Sequence, residues 1–443
     1  MAIQSLATLT TVFLKAASNK SNHSQLNTSK LASETAPAKE SGILIAKLWW
    51  MMFLQFAILG AWLPLVFGYL GADGLNFSAT GQSIVLLAFP ITGIIAVFFG
   101  NKFADRNFAA ERFLAFSNLV SAVAMLGMFF FTNQILFTLL MWLHCLFYVP
   151  TISIANSIAF GALVDAKKNY GIIRMGGTIG WIAACWPLVF LLDNDPMTAR
   201  FTFLVAGVAS LIYAAYSLWL PHTPPNRDTK TVAWVEAMKS LATPFVAVLW
   251  LATMLDSTIH DTYFLWADGY LTSIGIEQKW VMPVMSIGQF AEIVTMSVLG
   301  IFLTRFGWRT TLIIGGLGQV IKLGLFAWWP TPTAAIIGIF VHGLGHAFFF
   351  ATVFIFVDEF LPTKDRATTQ GLFTLMTLGG GPIIARIVAP KLHEMYSVEI
   401  DGDRVVEFQQ LWQFPFFVAV LASAIMLLAF WPPTNERQLR KEH

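Results

Sequence analysis

The chain is 443 residues long, 56% hydrophobic and only 12% charged, with a formal net charge of +2. A soluble domain carries about 25% charged residues. The composition therefore excludes a string of soluble domains and puts the length into membrane spans. The two cysteines, Cys145 and Cys185, both lie inside apolar runs and set up no disulfide framework.

In chain order, residues 1–42 are a polar extension rich in Ser, Thr, Asn and Lys, with Glu34 as its first acid. Its mildly apolar patch at 6–14 is too short to cross a bilayer. Two readings stand for it: a disordered cytoplasmic tail, or a targeting peptide, a class that is poor in acids and rich in Ser.

Hydrophobic runs of roughly the 20 residues a span needs then follow at 48–70, 82–99, 113–131, 135–160, 172–192 and 201–220. A polar segment occupies 221–244. Further runs follow at 245–271, 281–303, 310–329, 334–360, 367–389 and 414–431. β-Barrel strands are about 10 residues long and alternate; these runs are longer and do not, so the expected fold class is an all-α membrane protein with twelve transmembrane helices. The organisation expected is an N-terminal six-helix bundle (43–220), a connecting segment (221–244), a second bundle (245–431) and a tail (432–443).

Loop charge orients the spans. Lys102, Arg106 and Arg112 follow span two, and Lys167 and Lys168 follow span four. Arg227, Lys230 and Lys239 lie in the central segment, Arg305 and Arg309 after span eight, Lys364 and Arg366 after span ten, and Arg437, Arg440 and Lys441 in the tail. The opposite loops pair Arg200, Lys279 and Arg404 with Asp193, Asp195, Glu399, Asp401 and Asp403. Positive residues mark the cytoplasmic side, so both termini are expected there. Short basic turns at 100–112 and 300–309 form a weak internal repeat, as in transporters built from paired halves with the solute site between them.

The polar groups inside the spans are the candidate site. Span five reads IIRMGGTIGW, and Arg174, Thr178 and Trp181 fall on one helical face. A cation in the bilayer costs about 2.5–3.5 kcal/mol on insertion scales and marks function by default. With a hydroxyl and an indole beside it, this face suits a flat polar solute; a salt bridge that merely locks two helices is the alternative. In span eight, Gln289 and Glu292 share a face, and a carboxylate in a membrane can gain and lose its proton as its surroundings change.

Span seven carries Asp256, His260, Asp261 and Asp268. Asp261 sits near mid-span as the better site candidate, with Asp268 expected to be solvated at the outer end. In span ten, His342 and His346 share a face; HGLGH lacks the glutamate of a zinc HExxH motif, so solute binding or proton relay is favoured over a metal. Asp358 and Glu359 are expected at the cytoplasmic interface. Lys322 and Arg386 have no assigned partner. Gly379, Gly380 and Gly381 allow close packing or bending, and most Trp and Phe are expected to face lipid or the membrane interface. No P-loop, GxSxG or HExxH argues for an enzyme, and no cofactor is called for.

Five stretches carry a resemblance: FLQF at 53–56, YVPT at 148–151 followed by Asn156, IRMGGTIGW at 173–181, SIGQFAE at 286–292 and RATTQGLF at 366–373. With two halves and ADR and ER after span two, the chain resembles the major facilitator superfamily and, within it, the bacterial nucleoside:H+ symporter family, over about 48–431. The resemblance implies a secondary transporter that imports nucleosides with protons across the cytoplasmic membrane by alternating access, with the bilayer as its surroundings and a monomer as the expected unit.

It also implies that Arg174, Thr178, Trp181, Gln289 and Glu292 line the nucleoside cavity. Asp261, Phe264, His342 and His346 join them as candidate solute contacts, and Glu292 and Asp261 as candidate proton-coupling groups. The family's acid in span ten is Ala347 here. Asp261 falls where the family has a glutamine, and Phe264 near a family asparagine. Another polar solute, such as a sugar or modified nucleoside, and a receptor that does not transport are the alternatives.

Overall fold

A computed structural model describes residues 41–96, 108–163, 166–193, 195–224, 241, 243–360, 373–400 and 403–432. All but the last two residues of the polar extension, most of the tail and most of the orienting basic residues (Lys102, Arg106, Arg227, Lys230, Lys239, Lys364, Arg366, Arg437, Arg440 and Lys441) lie outside the described residues. So do most of the RATTQGLF stretch and the side chains of Lys167, Lys168, Asp358, Glu359 and Arg404.

The described residues are helical nearly throughout. The helices in order are α1 (Gly42–Trp62), α2 (Val66–Leu70), α3 (Ala79–Leu86), α4 (Ala88–Ile95), α5 (Ala110–Phe130), α6 (Gln134–Ala162), α7 (Ala166–Leu188), α8 (Phe201–Ser217), α9 (Pro244–Ser273), α10 (Gln278–Trp328), α11 (Pro332–His346), α12 (Thr352–Phe360) and α13 (Gly381–Met395). A hairpin of β1 (Ser397–Ile400) and β2 (Asp403–Val406) precedes the last helix, α14 (Phe408–Ala429). Among the described residues, eight helices are long and apolar enough to cross a membrane. The helices α7 and α9 are as long but are not among the eight. Their apolar runs are broken by Arg174 in one and by Asp256, His260, Asp261 and Asp268 in the other.

Several boundaries depart from the sequence pattern for local reasons. The first span breaks after Trp62, where Pro64 can neither donate to the helix nor fit beside the preceding turn. The expected turn at 300–309 narrows to one residue, Gly307, with φ of 76°, a conformation glycine adopts without a Cβ clash. The helix runs on either side of it, as arms 278–306 and 308–328. The hairpin, with Ser397 opposite Val406 and Ile400 opposite Asp403, was not expected. Helix α14 starts earlier than its apolar run, because Gln409, Gln410 and Gln413 mask its first turns.

Side chains close the helix ends. Arg309 donates to the carbonyls of Phe430 (2.8 Å) and Leu427 and stacks 3.8 Å from the Trp431 ring. A cation there satisfies the open carbonyls at the C-terminus of α14. Glu111, in the first turn of α5, accepts from the Thr223 amide (3.0 Å) and from His222 Nδ1 (2.7 Å). An acid suits a helix N-terminus, and this one ties the chain after α8 to α5. Not all large aromatics face lipid: Trp62, Trp266 and Trp412 are fully buried, the last two edge to face at 5.4 Å.

The contact that places the candidate site lies between α1 and α7. Gly176, Gly177 and Gly180 turn toward Trp49, Phe53 and Phe56, and a Cβ at Gly180 would lie 2.8 Å from the Phe53 carbonyl carbon. Small residues bring membrane helices together this closely because van der Waals packing, not water expulsion, holds them. Gly180→Val is expected to lower the thermal stability of the detergent-solubilised protein by about 1–3 kcal/mol, the cost of overpacking a filled contact. Gly300→Ala, where a Cβ meets nothing within 4 Å, should not lower it. Equal melting temperatures for Gly180→Val and wild type would show that this contact does not set the helix spacing.

Candidate functional site

The glycine face of α7 fixes where its polar residues stand. Arg174 lies with its guanidinium carbon 4.2 Å above the centre of the Phe56 ring on α1, within the range of a cation–π contact. No hydrogen bond or ion pair of Arg174 occurs among the described residues. Trp181, seven residues on, packs over Gly60 of α1 and meets Phe264 of α9 edge to face at 5.8 Å. Arg174, Thr178 and Trp181 all keep partial exposure while the glycines between them are buried or packed. Helix α7 also packs on α10, which carries Gln289 and Glu292 in its first arm. Both of these are part-exposed, and the Gln289 side-chain oxygen is buried without a partner.

Across from α7, three histidines stack. His260 of α9 lies between His342 and His346 of α11, with ring centres 5.0 and 4.6 Å away and planes 21° and 24° apart. Gly343 allows α11 this close to α10, since a Cβ there would strike Gly288 and Ala291. Directly after His346, residues 347–351 widen into a π-helical turn, a distortion that recurs at functional sites. Lys322, on the second arm of α10, is fully buried; it sits 3.1 Å from His342 Nδ1 and 4.3 Å from the centre of the Tyr263 ring. Phe264, which meets Trp181, also lies edge to face with His260 (5.1 Å) and His342 (6.2 Å). That joins α7, α9 and α11 at one place through Trp181, Phe264, His342 and His346, with Arg174 on the same face of α7 and the part-exposed Gln289 and Glu292 on the neighbouring α10.

Asp261 stands elsewhere. Both its carboxylate oxygens are taken by Arg386 of α13, at 2.8 and 3.0 Å, and Arg386 also donates to the Leu86 carbonyl at the end of α3 (2.7 Å). An aspartate held bidentately by a guanidinium has one lone pair of each oxygen engaged, so Asp261 stands in this structure as an ion-pair partner. The pair ties α9 to α13 and, through Leu86, to α3. Asp268 is not solvated as the sequence suggested: it is 6% exposed and accepts from Gln278 Nε2 at 2.8 Å. His342 keeps only one ring nitrogen for a solute, because the other faces Lys322.

Sequence reasoning left Lys322 and Arg386 unplaced and gave His260 no role. The signal for all three was their charge in an apolar run; their partners lie 125 residues away for Arg386 and 20 for Lys322, and one sequence does not reveal such pairings. The motif residues Gln55, Tyr148, Thr151 and Asn156 prove to be structural ties. Gln55 donates to Thr151 (2.9 Å), Tyr148 donates to the Gln55 carbonyl, and Tyr170 donates to Asn156 (2.8 Å). A cavity of about 630 Å³, lined by Phe67, Asp73, Gln82, Trp266, His393 and Phe408, lies where α2, α3, α9, α13 and the hairpin meet.

Comparison with known proteins agrees with this architecture. The family model described as nucleoside H+ symporter matches residues 43–435. The putative nucleoside transporter YegT of Escherichia coli (strain K12) is 30% identical over 412 residues, covering 88% of this chain and 95% of that protein. The nucleoside permease NupG of the same organism is 24% identical over 404 residues, covering 85% and 94%. The crystal structure of the nucleoside transporter NupG superposes with a TM-score of 0.77 at 23% identity, over 88% of this chain and all of that one. The chain belongs to the nucleoside H+ symporter family, is an integral membrane transporter rather than an enzyme, and has the major facilitator-like fold of that solved structure.

The Arg386–Asp261 pair yields a stability test. Removing one partner of a buried ion pair costs about 3–5 kcal/mol, because the other charge stays behind without compensation. Arg386→Leu and Asp261→Leu are each expected to lower the melting temperature in detergent strongly, and the double variant to recover much of the loss. Additive losses in the double variant would mean that the two side chains do not act as a pair.

Proposed function

We propose that the protein imports nucleosides together with protons across the cytoplasmic membrane, exposing one central cavity alternately to the two sides. The proposal includes twelve membrane crossings in two six-helix halves, with both termini and the 221–244 segment cytoplasmic. Nine of the twelve come from the eight long apolar helices, one of which the break at Gly307 divides in two. The others are α3 with α4, α7 and α9. The basic residues after spans two, four, eight and ten support the orientation.

The observation that carries the functional reading is the contact of Trp181 on α7 with Phe264 on α9, which itself lies against His260 and His342, so that helices from the N-terminal and C-terminal parts of the chain meet at one aromatic and polar surface. A nucleoside has a flat base and a hydroxyl-rich sugar. Trp181 and Phe264 offer aromatic faces and edges for the base. Arg174, Thr178, Gln289, His342 and His346 offer donors and acceptors around it. Glu292 is the proton site of the reading. When ionised, it competes with the solute for Arg174; when protonated, it releases the arginine to the solute. Proton and solute binding then favour each other, and that mutual favour is the coupling free energy of symport. Asp261, held by Arg386, takes a different part in the cycle: it closes α9 against α13 and α3.

Two variants test this. Arg174→Ala is expected to insert normally, since it removes an insertion cost, and to lose most uptake in proteoliposomes; Arg174→Lys should restore little, because lysine lacks the planar fork. Glu292→Gln, a fixed neutral mimic, is expected to exchange labelled nucleoside across the membrane but not to concentrate it under an inward proton gradient. Accumulation by Glu292→Gln at the wild-type level would remove Glu292 from the coupling role.

A further inference from the structure

The bonds of Arg386 divide unequally between the two parts of the chain. Its Nε and Nη2 donate to the two Asp261 oxygens, at 2.8 and 3.0 Å, and join α13 to α9, both from the C-terminal part. Its Nη1 donates to the Leu86 carbonyl at 2.7 Å and so reaches α3, from the N-terminal part. That carbonyl is open for a reason visible in the sequence. Four residues on stands Pro90, which has no N–H to give the helical bond. Phe89, next to it, covers the guanidinium with its ring, 5.3 Å from ring centre to Arg386 Cζ.

This tie has a fixed place relative to the 630 Å³ cavity. Gln82 of α3, Leu265 of α9 and Pro390 of α13 line that cavity. Leu86, Asp261 and Arg386 each lie four residues from one of them on the same three helices. In each helix the step leads away from the loops and hairpin that rim the cavity, where Asp73, Ser273 and Ser397 lie. Four residues are about one turn, or roughly 6 Å. The tie therefore crosses between the two parts of the chain one turn beyond the cavity lining. His260, the residue before Asp261, belongs to the histidine stack, so the tie stands at the depth of the candidate site. Nearer the rim, Asp268 of α9 lies against Gly68 of α2, where a Cβ would strike its carboxylate.

We propose that this cavity is the outer vestibule of the transporter and that Arg386 is the latch at its inner end. Arg386 bonds Leu86 while the outer side is closed and releases it when the two halves part. Asp261 is the positioning residue: it holds and neutralises the guanidinium in both states. Opening then breaks one hydrogen bond and leaves no uncompensated charge inside the membrane, which would cost far more. This rests on the alternating-access reading above and deepens it by naming the contact that closes one side.

The test is the distance between spin labels on Ala72→Cys and Ser273→Cys in the full chain in lipid nanodiscs. Both positions line the cavity and are exposed, one in each part of the chain, and the native Cys145 and Cys185 are buried away from the label. Arg386→Lys keeps a charge beside Asp261 but lacks the planar fork that reaches two partners at once. It is expected to raise the ratio of long to short distances about tenfold, the effect of losing one hydrogen bond to a charged group from the closed state. Labels on Ala72→Cys and Thr132→Cys, both in the N-terminal part, should keep their wild-type distance. An unchanged Ala72–Ser273 distribution in a variant that melts cooperatively, or an equal change in both pairs, overturns the latch. If Arg386→Lys does not fold, Pro90→Ala decides: it gives the Leu86 carbonyl a helical donor, removes no charge, and is expected to shift the Ala72–Ser273 pair in the same direction, with no shift overturning the latch. The measurement uses no solute and no proton gradient, so its failure overturns the latch alone, whereas failed uptake by wild type, read separately, overturns symport.

Discussion

The constraint on which the rest of the structure depends is the cost of charge inside an apolar interior. A charged side chain in a membrane span must be paired, solvated or used. The described residues meet that demand in three different ways. Arg386 is fully paired, with two bonds to Asp261 and one to the Leu86 carbonyl. Lys322 is partly satisfied, by one imidazole nitrogen and one ring face. Arg174 has a ring face and no hydrogen-bond partner among the described residues. The least satisfied cation, Arg174, stands on the same face of α7 as Trp181, and the proposed site lies where the interior leaves such a group unmatched.

Glycine packing turns that chemistry into geometry. Gly176, Gly177 and Gly180 let α7 lie against the aromatic ridge Trp49, Phe53 and Phe56 of α1. Gly288 and Gly343 do the same for α10 and α11, which lets His342 approach Gly288 and puts His346 opposite α7. Rigid-body movement of packed helices is the usual motion of such transporters. Close backbone contacts of this kind hold α1 to α7, and α10 to α11. Arg386 bonds across three helices, α13, α9 and α3.

Much of this was legible in the sequence, and the reason is physical. Bilayer thickness fixes the length of an apolar run, so span positions follow from composition. A charge inside a run is conspicuous, so Arg174, Glu292, His342 and His346 stand out without a structure. Asp261 also stood out, but its ion pair was not legible, because its partner, Arg386, is far away in sequence. Lys322 and His260 were visible as residues and invisible as neighbours. The hairpin at 397–406 escaped because its strands are four residues each and lie between two strong helical runs. The π-turn after His346 follows from no local residue preference in AFFFA; tertiary packing of α11 on α10 overrides the helical pattern there.

The central claim, that the solute is held between Arg174, Trp181 and the histidine face, is tested most directly by a cryo-electron microscopy structure of the protein in saturating nucleoside. The account requires density for one nucleoside with its base against Trp181 and Phe264 and a polar atom within hydrogen-bond distance of Arg174 or Gln289. Density instead in the 630 Å³ cavity lined by Asp73, Gln82 and His393, with the Arg174 region unchanged, would contradict it.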